Sequence, residues 1–378
     1  MVLIYPDDWH DSLNRIQDTN GNPKFLVLGN KGSGKSSYCK FAIERLLDRF
    51  PLICRLEADP GQPDHTAPGV LSLSLYQKAS PKQQIVSQRF LGFVNPATNP
   101  FRYVDVLSRV YQDYVERYSS VPLFVNMHGW STGTGVQTWE AAITVIQPDL
   151  LLFLGSDAAE FEIQPNNPFV SADMKLPTPE WMFLPAVIIL EGDEEGQQLA
   201  KETSADRRWK KYASHFRPDL LKKDEYKSCG PADFFKYPFV RMLRLERSKV
   251  VIKFCPEIQE PFDALKAIHS LIVGLCNSES DQLVCLGHVM TFDEKYINVL
   301  IPPNIPTQYG ESIDLIVRGE MNWCPRDRVT HKGKLTSTDF LPLGSAGEPY
   351  FLPNVLTEEG TGSRTPSTRT NLRRKRLS

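Results

Sequence analysis

At 378 residues the chain is long enough for two or three domains of ordinary size, and 41% hydrophobic with 23% charged residues predicts that most of it folds. A formal net charge of −2 excludes nucleic-acid binding through overall charge, so any such binding must come from local patches. No apolar run approaches the ~18 residues that span a bilayer, and the N-terminus has neither a basic leader nor a long apolar core, so neither membrane insertion nor a signal peptide is expected. The seven cysteines are scattered singly with no CxxC, which argues for a reducing interior compartment and against structural zinc.

In chain order, residues 1–20 read as a short lead-in that ends at the turn-prone Asn20-Gly21-Asn22-Pro23. The apolar run Phe25–Leu28 then leads into a glycine-rich loop and a helical pattern through Leu47. Further runs at 52–56, 121–125, 150–154 and 186–190 read as strands, with helical patterns at 102–118 and 137–146 between them. Short, continuously apolar strands alternating with helices predict a parallel sheet sandwiched by helices, an α/β fold of the P-loop NTPase type. The character changes near residue 217. From Val240 onward β-rich runs (250–254, 283–290, 296–301, 313–317) are separated by Pro, Gly and Asn and interrupted by a helical pattern at 262–273. The expected organisation is a P-loop domain over 21–220, a smaller β-rich α+β domain over 221–359, and a basic, flexible tail over 360–378.

The loop Gly29-Asn30-Lys31-Gly32-Ser33-Gly34-Lys35-Ser36 is a complete phosphate-binding loop, placed after a strand and before a helix. Its glycines let backbone N–H groups cradle phosphate oxygens at a helix N-terminus, and Ser37 extends the cradle into the first turn. Lys35 is placed to reach the β- and γ-phosphates, and the Ser36 hydroxyl to serve as a Mg²⁺ ligand. Lys31 reads equally well as a phosphate contact or a solvated lysine. Glu57 and Asp59 follow the second strand two residues apart, so a persisting strand points both to one face. One carboxylate there orders Mg²⁺ or its water, and a second accepts a proton from an attacking hydroxyl. Pro60-Gly61-Gln62 is a turn that presents the Gln62 amide to the same crevice.

A third loop, 126–135, follows the strand at 121–125 and carries Gly129 and Trp130 at a position where open parallel sheets bind ligands. Trp130 reads either as a stacking platform or as core, and His128 as a hydrogen-bonded structural residue rather than a base. A fourth feature is the cationic run at 206–212, which includes Arg207 and Arg208 and is followed by His215 and Arg217. It is either a solvated helix face or a lid that neutralises charge on a moving phosphoryl group.

These features occur in an order that resembles the polynucleotide 5′-hydroxyl kinases of RNA processing, most of all their nucleolar pre-ribosomal branch. The family's Asp-x-Asp-x-Gly-Gln segment is matched by Glu57-Ala58-Asp59-Pro60-Gly61-Gln62, followed by Pro68-Gly69. Its Asn-Thr-x-Gly-Trp clasp is matched by Asn126-Met127-His128-Gly129-Trp130, and its arginine lid by the segment from Asp206 to Phe216. Arg318-Gly319-Glu320 and the basic ending from Asn371 to Arg376 resemble the C-terminal part of the nucleolar branch. Three departures stand out: Glu57 replaces the first aspartate, Met127 replaces the clasp threonine, and only about twenty residues precede the fold where family members carry an N-terminal β domain.

The resemblance implies an ATP- and Mg²⁺-dependent kinase of RNA 5′-hydroxyl ends, located in the nucleus and nucleolus and working with an endonuclease of pre-rRNA spacer processing. It assigns Lys35, Asp59, Glu57, Arg207 and Arg208 to catalysis, Ser36 and Asp59 to the metal, and Gln62, Gly129 and Trp130 to the acceptor. Two alternatives remain: an ATP-binding scaffold of such a complex with little activity, which Glu57, Met127 and the short N-terminal part favour, and a P-loop hydrolase that uses water.

Overall fold

In the computed structural model the residues described are 5–17, 21–155, 167–171, 174, 186–192, 204–216, 241–255, 264–269 and 271–320. Arg217 and the basic tail lie outside them. Among the described residues no helix is long and apolar enough to cross a membrane.

The first sheet has seven strands: β1 (Lys24–Gly29), β2 (Leu52–Ala58), β3 (Val70–Gln77), β4 (Ser80–Phe90), β5 (Leu123–Met127), β6 (Leu150–Leu154) and β7 (Ala186–Leu190). Their order is β4-β3-β2-β5-β1-β6-β7. The five strands from β2 to β7 in that order are mutually parallel. β3 and β4 add an antiparallel extension. Parallel strands need crossovers that cover both faces, which is why these runs are apolar throughout. Helices α1 (Asp7–Gln17) and α2 (Lys35–Leu46) cover one face, with Trp9, Tyr38 and Phe41 packed on Phe25, Val27 and Phe124. Helices α3 (Pro100–Tyr118) and α4 (Thr134–Ile146) cover the other, over Leu26, Leu56, Val125 and Phe153.

Two parts of this sheet differ from the sequence expectation. Residues 7–17, within the segment read as a lead-in, form an amphipathic helix whose Trp9, Leu13 and Ile16 are buried in the core. Residues 70–90, which carried no expected strand, form the β3–β4 hairpin. Its signal was the alternation Leu71-Ser72-Leu73-Ser74-Leu75, a period of two that places the leucines on one face.

The second sheet is built from β8 (Arg241–Glu246), β9 (Val251–Phe254), β10 (Ile272–Asn277), β11 (Gln282–Phe292), β12 (Tyr296–Ile301) and β13 (Leu315–Arg318). Its order is β8-β12-β11-β10-β13-β9, antiparallel except for the parallel β13–β9 pair. The helical pattern expected over 262–273 is corrected here: helix α6 (Ala264–Ile268) stops early, and the β-branched Ile272 and Val273 open β10.

Helix α5 (Ser204–Phe216) lies at the junction of the two sheets. Its Trp209, Tyr212, Ala213 and Phe216 share one buried cluster with Val70 and Phe90 of the first sheet and Leu283, Leu286, Leu315 and Val317 of the second. Each large apolar side chain buried this way contributes about 1.5–3 kcal/mol. Polar contacts reinforce the seam. Arg89 donates to Asp113 (3.0 Å) and to the carbonyls of Ser280 (2.8 Å) and Asp281 (3.0 Å). The Glu320 N–H donates to the Gly92 carbonyl at 2.7 Å.

Candidate active site

The loops that end β1, β2 and β5 meet at the carboxyl edge of the first sheet, where an open parallel sheet binds its ligands. The phosphate loop closes on Gly34, which takes φ +94° as the N-cap of α2, a left-handed conformation that suits glycine. Lys35 is buried and folds back on the loop, its Nζ donating to the carbonyls of Gly29 (2.8 Å) and Asn30 (2.7 Å). Burial lowers its pKa, and the Asp59 carboxylate acts against that shift. The buried Ser33 hydroxyl has no hydrogen-bond partner among the described residues. A buried polar atom in that state is costly unless a ligand completes it, and a phosphate oxygen is the complement the loop offers.

Asp59 sits just past the end of β2. Its Oδ1 accepts the N–H groups of Gly61 (2.9 Å) and Gln62 (3.2 Å), which sets the Pro60–Gly61 turn. Burial raises its pKa, and Lys35 together with the two amides opposes the rise. Glu57 is placed differently. It is buried at the end of β2, with Oε2 2.8 Å from Arg55 Nη2 and Oε1 accepting from Asn126 Nδ2 at 2.6 Å. Burial pushes its carboxyl up, while the guanidinium and the amide hold the charge against that push. Both oxygens of Glu57 are therefore engaged by protein donors, and only Asp59 keeps an oxygen, Oδ2, with no protein donor on it among the described residues.

Asn126 was not singled out for chemistry from sequence, yet its Nδ2 also donates to Ser36 Oγ at 3.1 Å. Its signal was positional: it is the polar residue that ends an apolar run, and the sheet pairs it in register with Glu57. Arg55 and Asp64 were also missed. Arg55 Nη2 lies 2.6 Å from Asp64 Oδ2, and a charged residue inside a strand carries no local mark of a partner beyond the next loop. Asp64 and His65 further line a groove of about 690 Å³ between α2 and the β3–β4 hairpin that begins at Ser36 and Ser37.

The clasp loop lies directly on the phosphate loop. A Cβ on Gly129 would stand 2.6 Å from the Lys31 Cα, so only glycine permits this approach. Trp130 is half-buried, its ring lying against Gly135 in the first turn of α4. His128 is structural. Thr138 Oγ1 donates to the Gly135 carbonyl (2.7 Å), so His128 Nε2–H donates to Thr138 (2.8 Å) and Nδ1 accepts the Trp130 N–H (3.2 Å). Burial keeps this ring neutral, with its pKa lowered to about 3. Met127 points away from the crevice into the core beneath α3 and α4.

The cationic run is a helix, α5, and its polar side grips the Asp59 turn. Arg207 Nη1 donates to Gln62 Oε1 (3.0 Å), Gln62 Nε2 to Ser204 Oγ (3.2 Å), and Lys211 Nζ to the Asp64 carbonyl. Gln62 thus faces the helix rather than open crevice. Arg208 is buried, its Nε has no partner among the described residues, and its charge adds to burial in lowering the pKa of Lys31. Lys35 and Lys31 both act on Asp59, Arg207 and Arg208 act on Lys31, and Glu57 is already matched by Arg55. Two of these cations, Lys35 and Arg208, are buried, and positive charge held there suits a polyanion such as a triphosphate. Ser36 Oγ and Asp59 Oδ2 are oxygen donors of the kind that suit a hard, hydrated cation such as Mg²⁺.

Comparison with known proteins agrees with this geometry. Residues 29–177 match the family model described as mRNA cleavage and polyadenylation factor CLP1 P-loop. The chain is 28% identical over 177 residues to polynucleotide 5′-hydroxyl-kinase grc3 of Schizosaccharomyces pombe, covering 41% of this chain and 24% of that protein. It is 21% identical over 353 residues to polynucleotide 5′-hydroxyl-kinase GRC3 of Candida glabrata, covering 80% of this chain and 55% of that protein. Polynucleotide 5′-hydroxyl-kinase NOL9 of Arabidopsis thaliana is 29% identical over 163 residues, covering 38% and 43%. The chain thus spans between 24% and 55% of the length of these relatives. Among solved structures, Clp1p in the wild-type Clp1p–Pcf11p complex shares the fold with a TM-score of 0.56 at 12% identity, covering 84% of this chain and 78% of that one. The phosphate loop and the strand ends that face it all lie within residues 29–177, the stretch that matches the CLP1 P-loop family model.

Proposed function

We propose that the chain is an ATP-dependent polynucleotide 5′-hydroxyl kinase acting on RNA ends. The observation that carries this reading is the phosphate loop with its buried Lys35, set against the Asp59 turn that α5 grips and a glycine-gated clasp. The phosphate loop holds the triphosphate, with Ser36 and Asp59 toward Mg²⁺, which when bound neutralises charge on the β- and γ-phosphates. Asp59 Oδ2 takes the proton of the 5′-hydroxyl as that oxygen bonds to the γ-phosphorus. The bond to the β–γ bridging oxygen breaks and ADP leaves, while Lys35 and Arg208 carry the charge on the moving group. Trp130 and Gly129 hold the acceptor nucleotide. Gln62 positions Arg207 in this reading, and Glu57 is left without a proton to move.

The setting we propose is pre-rRNA spacer processing in the nucleolus with a partner endonuclease, supported by the names of the relatives and the basic run from Arg373 to Arg376. A second reading, an ATP-binding scaffold, is favoured by one observation: Gln62 and Arg207 bond to each other. Transfer of labelled γ-phosphate to a 5′-hydroxyl RNA oligonucleotide separates the two. The kinase reading expects transfer that falls about 100- to 1,000-fold in Lys35→Ala. ATP binding without transfer leaves the scaffold, and phosphate release that ignores the oligonucleotide points to hydrolysis.

A further inference from the structure

Glu57 and its neighbours form an arrangement that the kinase chemistry above does not use. On β2, Arg55 and Glu57 are two residues apart and face α2, and β5 brings Asn126 into register beside Glu57. Arg55 Nη2 donates to Glu57 Oε2 at 2.8 Å and reaches Asp64 Oδ2 at 2.6 Å, so one guanidinium is shared by two carboxylates. Glu57 Oε1 accepts Asn126 Nδ2 at 2.6 Å, and the same Nδ2 donates to Ser36 Oγ at 3.1 Å. Arg55, Glu57 and Asn126 are at most 4% exposed, so the Arg55–Glu57 and Glu57–Asn126 bonds do not compete with bulk water.

The polarity of the chain is fixed from one end. The guanidinium occupies Glu57 Oε2, and Asn126 turns its amino group toward Glu57 Oε1 and Ser36 Oγ. Its carbonyl Oδ1 is then forced the other way, where it is buried without a protein partner. Ser36 Oγ, accepting one hydrogen from Asn126, keeps its remaining lone pair for a ligand. We propose that Arg55, Glu57 and Asn126 are positioning residues that fix the Ser36 hydroxyl for the hydrated divalent cation that accompanies the triphosphate. Glu57 acts through Asn126 and does not touch the acceptor.

The proposal rests on the reading of the loop as a Mg·ATP site and is tested by binding rather than turnover. ATP affinity is measured by calorimetry in excess Mg²⁺ and again with the metal chelated, for the wild-type chain, Glu57→Gln and Asn126→Ala. Glu57→Gln can present an amino group to Asn126 and release its orientation. The expected result is that the tightening of ATP binding by Mg²⁺ shrinks about 10-fold in both variants, in line with outer-shell substitutions at metal sites, while metal-free affinity stays within about twofold. A Mg²⁺ effect of wild-type size in both variants overturns the proposal. An equal loss with and without metal also overturns it, because it marks a purely structural role. If Glu57→Gln does not fold, Asn126→Ala decides alone. A wild-type chain that binds no ATP under either condition refutes the nucleotide-site reading instead.

Discussion

The two sheets contribute to the site in opposite ways. In the first, parallel strands end at one edge, and each end delivers polar groups: the phosphate loop after β1, Glu57 and Asp59 at β2, Asn126 and the clasp at β5. In the second, the strands are mostly antiparallel and the groups facing the site are apolar, so that sheet supplies a surface and not a crevice. Its contribution is indirect, through α5, whose Trp209, Tyr212 and Phe216 it buries while Arg207 and Arg208 face the phosphate loop. Chemistry is concentrated where strand ends converge, and orientation comes from where side chains pack.

That division can be broken at either side. The largest effect is expected from Asp59→Asn, which removes the uncommitted carboxylate of the described site: transfer to a 5′-hydroxyl oligonucleotide should fall about 1,000-fold. Unaltered single-turnover rates would move the base elsewhere. On the other side, Trp209→Ala should cost about 3–5 kcal/mol of stability in denaturant unfolding and weaken transfer without touching the cradle. Full activity in a destabilised protein would show that α5 needs no anchor. Met127→Thr restores the residue type of the family's clasp, yet the side chain faces the core. It should therefore cost about 2 kcal/mol and leave transfer unchanged, and a gain in rate would place that position in the acceptor site.

The smallest effect is a pH slope with one contributor from each region. His128 is held neutral in the first, and His215, whose Nε2 accepts the Leu286 N–H, in the seam with the second. Burial lowers their pKa values to about 3 and about 4. Because these values lie below the unfolded value of about 6.5, the unfolded chain takes up the protons first. Each histidine's contribution is thus complete above about pH 6.5 and is lost as pH falls toward 4, at about 1.4 kcal/mol per pH unit. His128→Gln and His215→Gln should each flatten the acid limb of stability against pH, and an unchanged limb in both would contradict the assignment.

Sequence carried the first sheet and its loop well, because a glycine-rich loop between a strand and a helix is a local pattern with a local cause. The hairpin at 70–90 was written in the Leu/Ser alternation but lacks the apolar continuity that marks the parallel strands. Helix α1 is amphipathic over only 11 residues, and what holds it is burial of Trp9 against Tyr38 and Phe41. The site's hidden part is its non-local pairing. Glu57 and Asn126 lie 69 residues apart, and nothing in either segment shows that β2 and β5 are neighbours. Arg55 reads along the chain as a solvated charge and becomes a shared counter-ion only after the 59–65 loop folds over it.

The seating of α5 also has a mechanical consequence. A helix glued by its apolar face to the second sheet, and hooked by Gln62 and Asp64 to the first, works as a lever with its fulcrum at the seam between them. Any torque on the second sheet, such as a protein leaning on its outer strands, is delivered at the guanidinium groups of Arg207 and Arg208. Under the proposed kinase reading, a displacement of about one ångström there would change phosphoryl transfer about 100-fold, so the second sheet would set the rate from outside the crevice.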